Sequence, residues 1–182
     1  MENNFDFDKL DSLLGKLDIE KIDPEGNDTF SELPEGYYLC EVEKAELRTT
    51  KSSGEPMVSL TMKVVEDGLQ VVVDDKGYSG FAVINKTVGR KIFINFVLSD
   101  EQKCYRFAND MVKFEGEEPG KPILEKEAFL SSSTLLDALE IIEGLNIYVN
   151  ISTSKNKTTG EVKTWTNIIS WKRAKGVGLI EE

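Results

Sequence analysis

The groups in this sequence best suited to chemistry are cations and aromatic rings, and the chemistry they suit is non-covalent. Arg48 and Lys51 lie in a polar stretch that ends at Gly54-Glu-Pro56. Lys63 follows on the next apolar run, and Arg90 and Lys91 precede Phe93. Tyr148 is followed by Lys155 and Lys157, and these by Trp165. Single-stranded nucleic acid requires this mixture. Cations track the phosphates, and flat rings stack the bases at about 1–3 kcal/mol each. Covalent chemistry is poorly provided for. The chain has no histidine, the commonest general base and zinc ligand. Cys40 and Cys104 are too few and too far apart for a zinc knuckle or a disulfide framework, and read as buried free thiols. Neither a GxxxxGK[ST] phosphate loop nor a GxGxxG turn is present. Glu161-Val-Lys163, with Asp74 or Asp75, is the acidic-plus-lysine inventory of some metal-dependent nucleases. Such a triplet is common by chance, and this one adjoins a hairpin turn. No catalytic residue, metal or cofactor is therefore expected.

The elements that must position these groups are mostly strands. From Leu33 to Val65 the chain reads as two long strands joined by the Arg48–Pro56 loop. Tyr38, Cys40 and Val42 alternate with Glu41 and Glu43; later Val58, Leu60, Met62 and Val64 alternate with Ser59, Thr61 and Lys63. A period of two marks a half-buried strand. Residues 66–90 read as a short hairpin or irregular excursion around Asp74-Asp-Lys-Gly77, which is turn chemistry. Lys91–Leu98 is a third strong strand, with Lys91 and Phe93 on its outer side. Ser99-Asp-Glu-Gln102 has capping-box spacing, with Ser99 as the cap of a helix whose stripe is Cys104, Phe107, Ala108 and Met111. A second helix is expected at about 134–143, stopped by Gly144. Residues 146–154 and 163–171 form a last hairpin around Lys155–Gly160.

The fold class is therefore mainly β with helices (α+β). Five principal strands, with helical material between the third and fourth, are the order of an OB-fold barrel, which binds oligonucleotides on one face and through its strand 1–2 and 4–5 loops. Both corresponding loops are basic here, through Arg48 and Lys51 in one and Lys155 and Lys157 in the other. On parity Phe93 and Tyr148 are exposed. Trp165, Ile169 and Trp171 share a side that reads equally well as core or as binding surface.

Composition bounds the reading further. The chain has 182 residues, 40% hydrophobic and 30% charged, which suits one soluble domain. No apolar run approaches the roughly 20 residues of a membrane helix, and the acidic N-terminus lacks a signal-peptide plan. A cytoplasmic location without a membrane partner is expected. Net charge is −11, but residues 1–35 hold eleven acids against three lysines. Residues 147–175 instead carry six cations against Glu161 alone. Three regions follow: an acidic arm and linker over 1–35, with Phe7, Leu10, Leu14 and Leu17 at helical spacing; an OB-fold-like domain over 36–175; and a short tail over 176–182.

The stretch PEGYYLCEVEKAELRTTKSSGEPMVSLTMKVVEDG resembles a group of bacteriophage proteins whose shared pattern is roughly PEG-Y-x3-V-x2-A-E-x3-T-K-x-G-x-PM followed by a strand. These are small OB-fold single-stranded DNA-binding proteins encoded beside phage replication and recombination functions. The likeness is good over about 34–98, holds in outline over 146–171 and is poor over the first thirty residues. It implies Thr50, Lys51, Gly54 and Pro56 in a loop over the DNA cleft. It also implies single-stranded DNA as partner, with replication or recombination proteins beside it; oligomeric state stays open. The acidic arm is a candidate recruiter of such proteins, or a DNA mimic. Two other classes remain: a protein–protein module of a phage or mobile element, marked by an exposed apolar patch, and, third, the nuclease.

Overall fold

A computed structural model describes residues 11, 12, 14, 15 and 32–181. The chain divides between residues 31 and 32 into two units. In the first, the described residues make a helical turn, with the Gly15 N–H donating to the Asp11 carbonyl at 2.9 Å. The remainder of the acidic arm, with its helical stripe and linker, lies outside the described residues.

The second unit is α+β. Its strands are β1 (Gly36–Thr49), β2 (Pro56–Val64), β3 (Gly68–Val73), β4 (Ser79–Ile84), β5 (Lys91–Val97), β6 (Asn146–Lys155) and β7 (Val162–Ile169). Its helices are α1 (Glu101–Met111), α2 (Ser132–Ile142), preceded by a 3-10 turn at Lys126–Phe129, and α3 (Trp171–Gly176). All pairings are antiparallel. One path runs β4-β3-β1-β2-β5, and β6 and β7 branch from β1. Five principal strands were expected, and seven are present among the described residues. The excursion over 66–90 is a regular hairpin, β3–β4, joined to β1 at Tyr37 and Leu69. The sheet is not closed, because β5 and β7 do not pair.

β1 is the shared spine. Its first half, Gly36–Glu41, pairs with β6, and Cys40–Thr49 pairs with β2. Alternation buries Tyr38, Cys40 and Val42 against Val58, Leu60, Met62 and Val64 of β2, Ile92 and Ile94 of β5, and Ile147, Val149 and Ile151 of β6. Phe107 and Met111 of α1 and Ala138, Leu139 and Ile142 of α2 complete this core. Truncating such a side chain to alanine costs about 2–5 kcal/mol. Tyr38 fixes the entry: its hydroxyl donates to the Pro34 carbonyl at 2.6 Å. Its ring lies so close to Gly68 that a Cβ there would stand 2.3 Å from Tyr38 Cε1, so no larger residue fits at Gly68.

Two helix expectations are corrected. Asp100, not Ser99, caps α1; its Oδ1 accepts the Lys103 N–H at 2.9 Å. Ser and Asp stand side by side there and both cap well. Cys104 is exposed rather than buried, because only Phe107 and Met111 of α1 reach the core.

Candidate nucleic-acid interface

The register assembles one group of candidate residues on the outer face of β1, β2 and β5. Across the three strands run the rows Glu41–Lys63–Lys91, Lys44–Thr61–Phe93, Glu46–Ser59–Asn95 and Arg48–Met57–Val97. Phe93 lies within this face and is 62% exposed. A ring on the solvent face of a strand gains nothing from the core and is free to stack. The Ser59 hydroxyl donates to Asn95 Oδ1 at 2.7 Å beside it.

This face is less basic than the lysines alone suggest. Lys91 Nζ lies 2.8 Å from Glu43 Oε2. Glu46 is held by both Lys44 and Arg48. Its carboxyl titrates below the ordinary value, chiefly through the Lys44 hydrogen bond, with Arg48 adding to it. Lys44 was missed as a candidate because strict alternation from Val42 turns it inward. A β-bulge between Val42 and Lys44 resets the phase and sends Lys44, Glu46 and Arg48 outward. No residue type at Glu43 announces that bulge.

The β1–β2 loop is closed on itself. Thr50 Oγ1 lies 2.6 Å from Ser53 Oγ and accepts the Glu55 N–H at 3.1 Å, so this hydroxyl shapes the loop rather than standing free. Lys51 projects from the loop and is exposed. Arg90 lies apart from Phe93. It is half-buried, and its charge pulls the Tyr38 hydroxyl down while burial pushes that group up to about 12.

A second group sits on the β6–β7 hairpin. Lys155 and Lys157 are exposed at a turn tied by Asn156, whose Oδ1 accepts the Thr158 N–H at 2.8 Å. Trp165 is 47% exposed, which decides it as surface. Its Nε1 donates to Ser154 Oγ at 2.9 Å, and Lys163 Nζ lies 5.0 Å from the ring centroid. Ser154, Lys155, Asn156, Glu161 and Lys163 line a polar recess of about 290 Å³. Among the described residues, Lys155, Lys157 and Lys163 take part in no ion pair. Arg48 and Pro56, expected in the β1–β2 loop, lie in β1 and β2, so that loop holds Lys51 against Glu55, and the two loops do not merge. β6 continues past Gly36 while the β1–β2 loop follows Thr49, so they lie beyond opposite ends of β1.

Tyr148 belongs to neither group. It was expected to be exposed and is only 8% exposed. Its ring meets Trp171 edge to face at 5.6 Å, within a second small core that includes Tyr37, Leu39, Ile169, Ala174, Leu179 and Ile180. The cause is α3, where no helix was expected: the last strand stops at Ile169 rather than Trp171, and Trp171 opens the helix. Ser170 caps it, its hydroxyl accepting the Arg173 N–H at 3.3 Å, and the segment folds back over β6. Ser170 before Trp-Lys-Arg-Ala was the available signal.

The groups weighed for metal or thiol chemistry are dispersed. Asp74 Oδ1 is occupied by the Lys76 and Tyr78 N–H groups of its own turn, on a different hairpin from Glu161. Among the described residues no three acids or cysteines are grouped to hold a metal ion. Burial pushes the Cys40 thiol up to about 12, so it is no nucleophile at neutral pH. No described helix is long and apolar enough to cross a membrane.

The family model described as "Protein of unknown function (DUF669)" matches residues 20–177. No curated protein matches the chain.

Proposed function

The chain belongs to the DUF669 family, and we propose that it binds single-stranded DNA without sequence preference, as a non-enzymatic protein serving phage replication or recombination in the host cytoplasm. The observation that carries the reading is Phe93, exposed between Lys44, Lys63 and Lys91 on a three-stranded surface. A base stacks on the ring while lysines and Arg48 take the flanking phosphates. Trp165, with Lys155, Lys157 and Lys163, is a second stacking station at the other end of β1. The ladder favours an OB-like arrangement. β1 pairs with β2 and β6, β2 with β5, and β6 with β7, which is a five-stranded OB order without the closing pair and with the β3–β4 hairpin inserted.

The test is fluorescence anisotropy of labelled oligo-dT at low and moderate salt without divalent metal. Saturable binding that weakens steeply with salt, and that duplex DNA fails to displace, is expected. No binding at low salt would overturn the reading and move a protein-contact role to the front. Strand cleavage on adding a divalent metal would instead identify a nuclease.

A further inference from the structure

The β3–β4 hairpin serves none of these purposes. Val71, Val72, Val73, Tyr78 and Val83 are all exposed on it, Val73 by 66% and Val83 by 58%. β4 pairs with β3 alone among the described residues, so its other edge is unpaired. Exposed edges invite pairing with another strand, and soluble proteins ordinarily blunt them with lysine, proline or a bulge. The other two ends of this sheet follow that practice, since β5 carries Lys91 and β7 carries Lys163. β4, Ser-Gly-Phe-Ala-Val-Ile, carries no charge, no proline and no register shift against β3.

The free groups of that edge can be named. The Asp74 N–H donates to the Tyr78 carbonyl at 2.9 Å, which makes 74 and 78 a hydrogen-bonded pair. Antiparallel pairs alternate, so Gly80, Ala82 and Ile84 turn their backbone groups to β3. Ser79, Phe81 and Val83 turn theirs to the open side. Ser79, Phe81 and Val83 also share a sheet face with their β3 partners Val73, Val71 and Leu69.

We propose that β4 pairs with β4 of a second copy of this chain, antiparallel about a two-fold axis at Phe81. An antiparallel edge is its own complement under such an axis, so one copy supplies everything the other needs. Full overlap sets Ser79 opposite Val83 of the second copy and Phe81 opposite Phe81. It also joins the apolar faces of the two hairpins into one band of Val71, Val73, Phe81 and Val83. The chain carries a net charge of −11, which opposes most contacts between copies, but neither strand brings a charge to this seam.

Sedimentation of the full chain tests it. The wild type is expected at twice its 20.4 kDa mass, and Val83→Lys and Val83→Pro at the single mass. The proline removes only an N–H aimed at the open edge, so the β3 ladder survives, and circular dichroism is expected to be unchanged. In a Cys104→Ser background, mixing Ser79→Cys chains with Val83→Cys chains is expected to give the mixed disulfide on oxidation. Hydrogen-bonded antiparallel pairs lie about 5.5 Å apart at Cα, within reach of that bond. A monomeric wild type overturns the proposal and leaves the edge to a strand of another protein. Dimers that persist in both Val83 variants, or a dimer that yields no mixed disulfide, overturn it equally. Oligo-dT binding by a monomer would leave the proposed function standing, so the two readings fail separately.

Discussion

The outer face of β1, β2 and β5 and the free end of the β6–β7 hairpin carry the same kinds of group in different electrical settings. On the face, three of four cations already have carboxylate partners: Lys91 has Glu43, and Lys44 and Arg48 share Glu46. On the hairpin, Lys155, Lys157 and Lys163 stand without one among the described residues, and Lys163 lies over the Trp165 ring. The face is the broader platform, but a phosphate must displace a carboxylate there. The hairpin is narrow, and its cations are ready. In the proposed reading both regions stack a base, and the hairpin supplies most of the charge. A tally of lysines does not separate these roles; their neighbours do.

The comparison is broken most directly by removing both rings. F93A is expected to cost about 1–3 kcal/mol of oligo-dT affinity, where 1.4 kcal/mol is tenfold, and W165A a similar amount. The two rings share no partner, so the double variant is expected to lose about the sum. Neither side chain belongs to a core, so the melting temperature should move little. If either single variant binds like the wild type, that region is not part of the site.

Next in size is the salt dependence. Each phosphate neutralised on a single strand contributes about −0.7 to the slope of log K against log salt. Replacing Lys155, Lys157 and Lys163 by alanine is expected to flatten that slope by about 2. Lys91→Ala, whose cation is already balanced by Glu43, is expected to change it less than any one of these. Titrations at several salt concentrations decide the order, and an equal effect of Lys91 would erase the electrical contrast.

The smallest effect concerns Glu46. Glu46→Gln releases Lys44 and Arg48 and is expected to tighten binding at low salt. Its native carboxyl titrates below the ordinary 4.5 because Lys44, then Arg48, stabilise the ionised form. What that carboxylate adds to stability is therefore present above 4.5 and is lost as the pH falls through its lower native value. In Glu46→Gln that part of the acid sensitivity should vanish from thermal melts below pH 4.5.

The strands were readable because alternation of Tyr38, Cys40 and Val42, of Val58 to Val64 and of Ile92 and Ile94 reports burial on one side of a sheet, and these residues are the core. Phe93 was readable for the same reason, as the outward member of a strongly patterned strand. The errors arose where something distant overrode local pattern. Tyr148 has an outward parity, but the helix that follows β7 covers it. The same side of β7 is bare at Trp165 and buried at Ile169, because the second core covers only that end. Lys44 was hidden by a bulge, which leaves period-two reasoning half a cycle out of phase. The open edge of β4 was invisible, since which strand ends a sheet is a property of topology and not of six residues.

The double duty of β1 also dictates how the chain must be assembled as it is made. Among the described residues β1 is the first strand to leave the ribosome, and β2 follows at once across a short loop. Its partner on the other side, β6, is synthesised more than a hundred residues later; Glu35 and Thr153, which bond at 2.6 Å beside that junction, are 118 positions apart. Until then the first half of β1 lacks its β6 neighbour, although both helices that pack on the core have already been made. Closing so long a loop is slow, and in the interval the nascent chain is exposed to misassembly. Truncation before residue 146 therefore removes Ile147, Val149, Ile151 and Ile168 from the core together with the partner of half of β1, not merely an appendage.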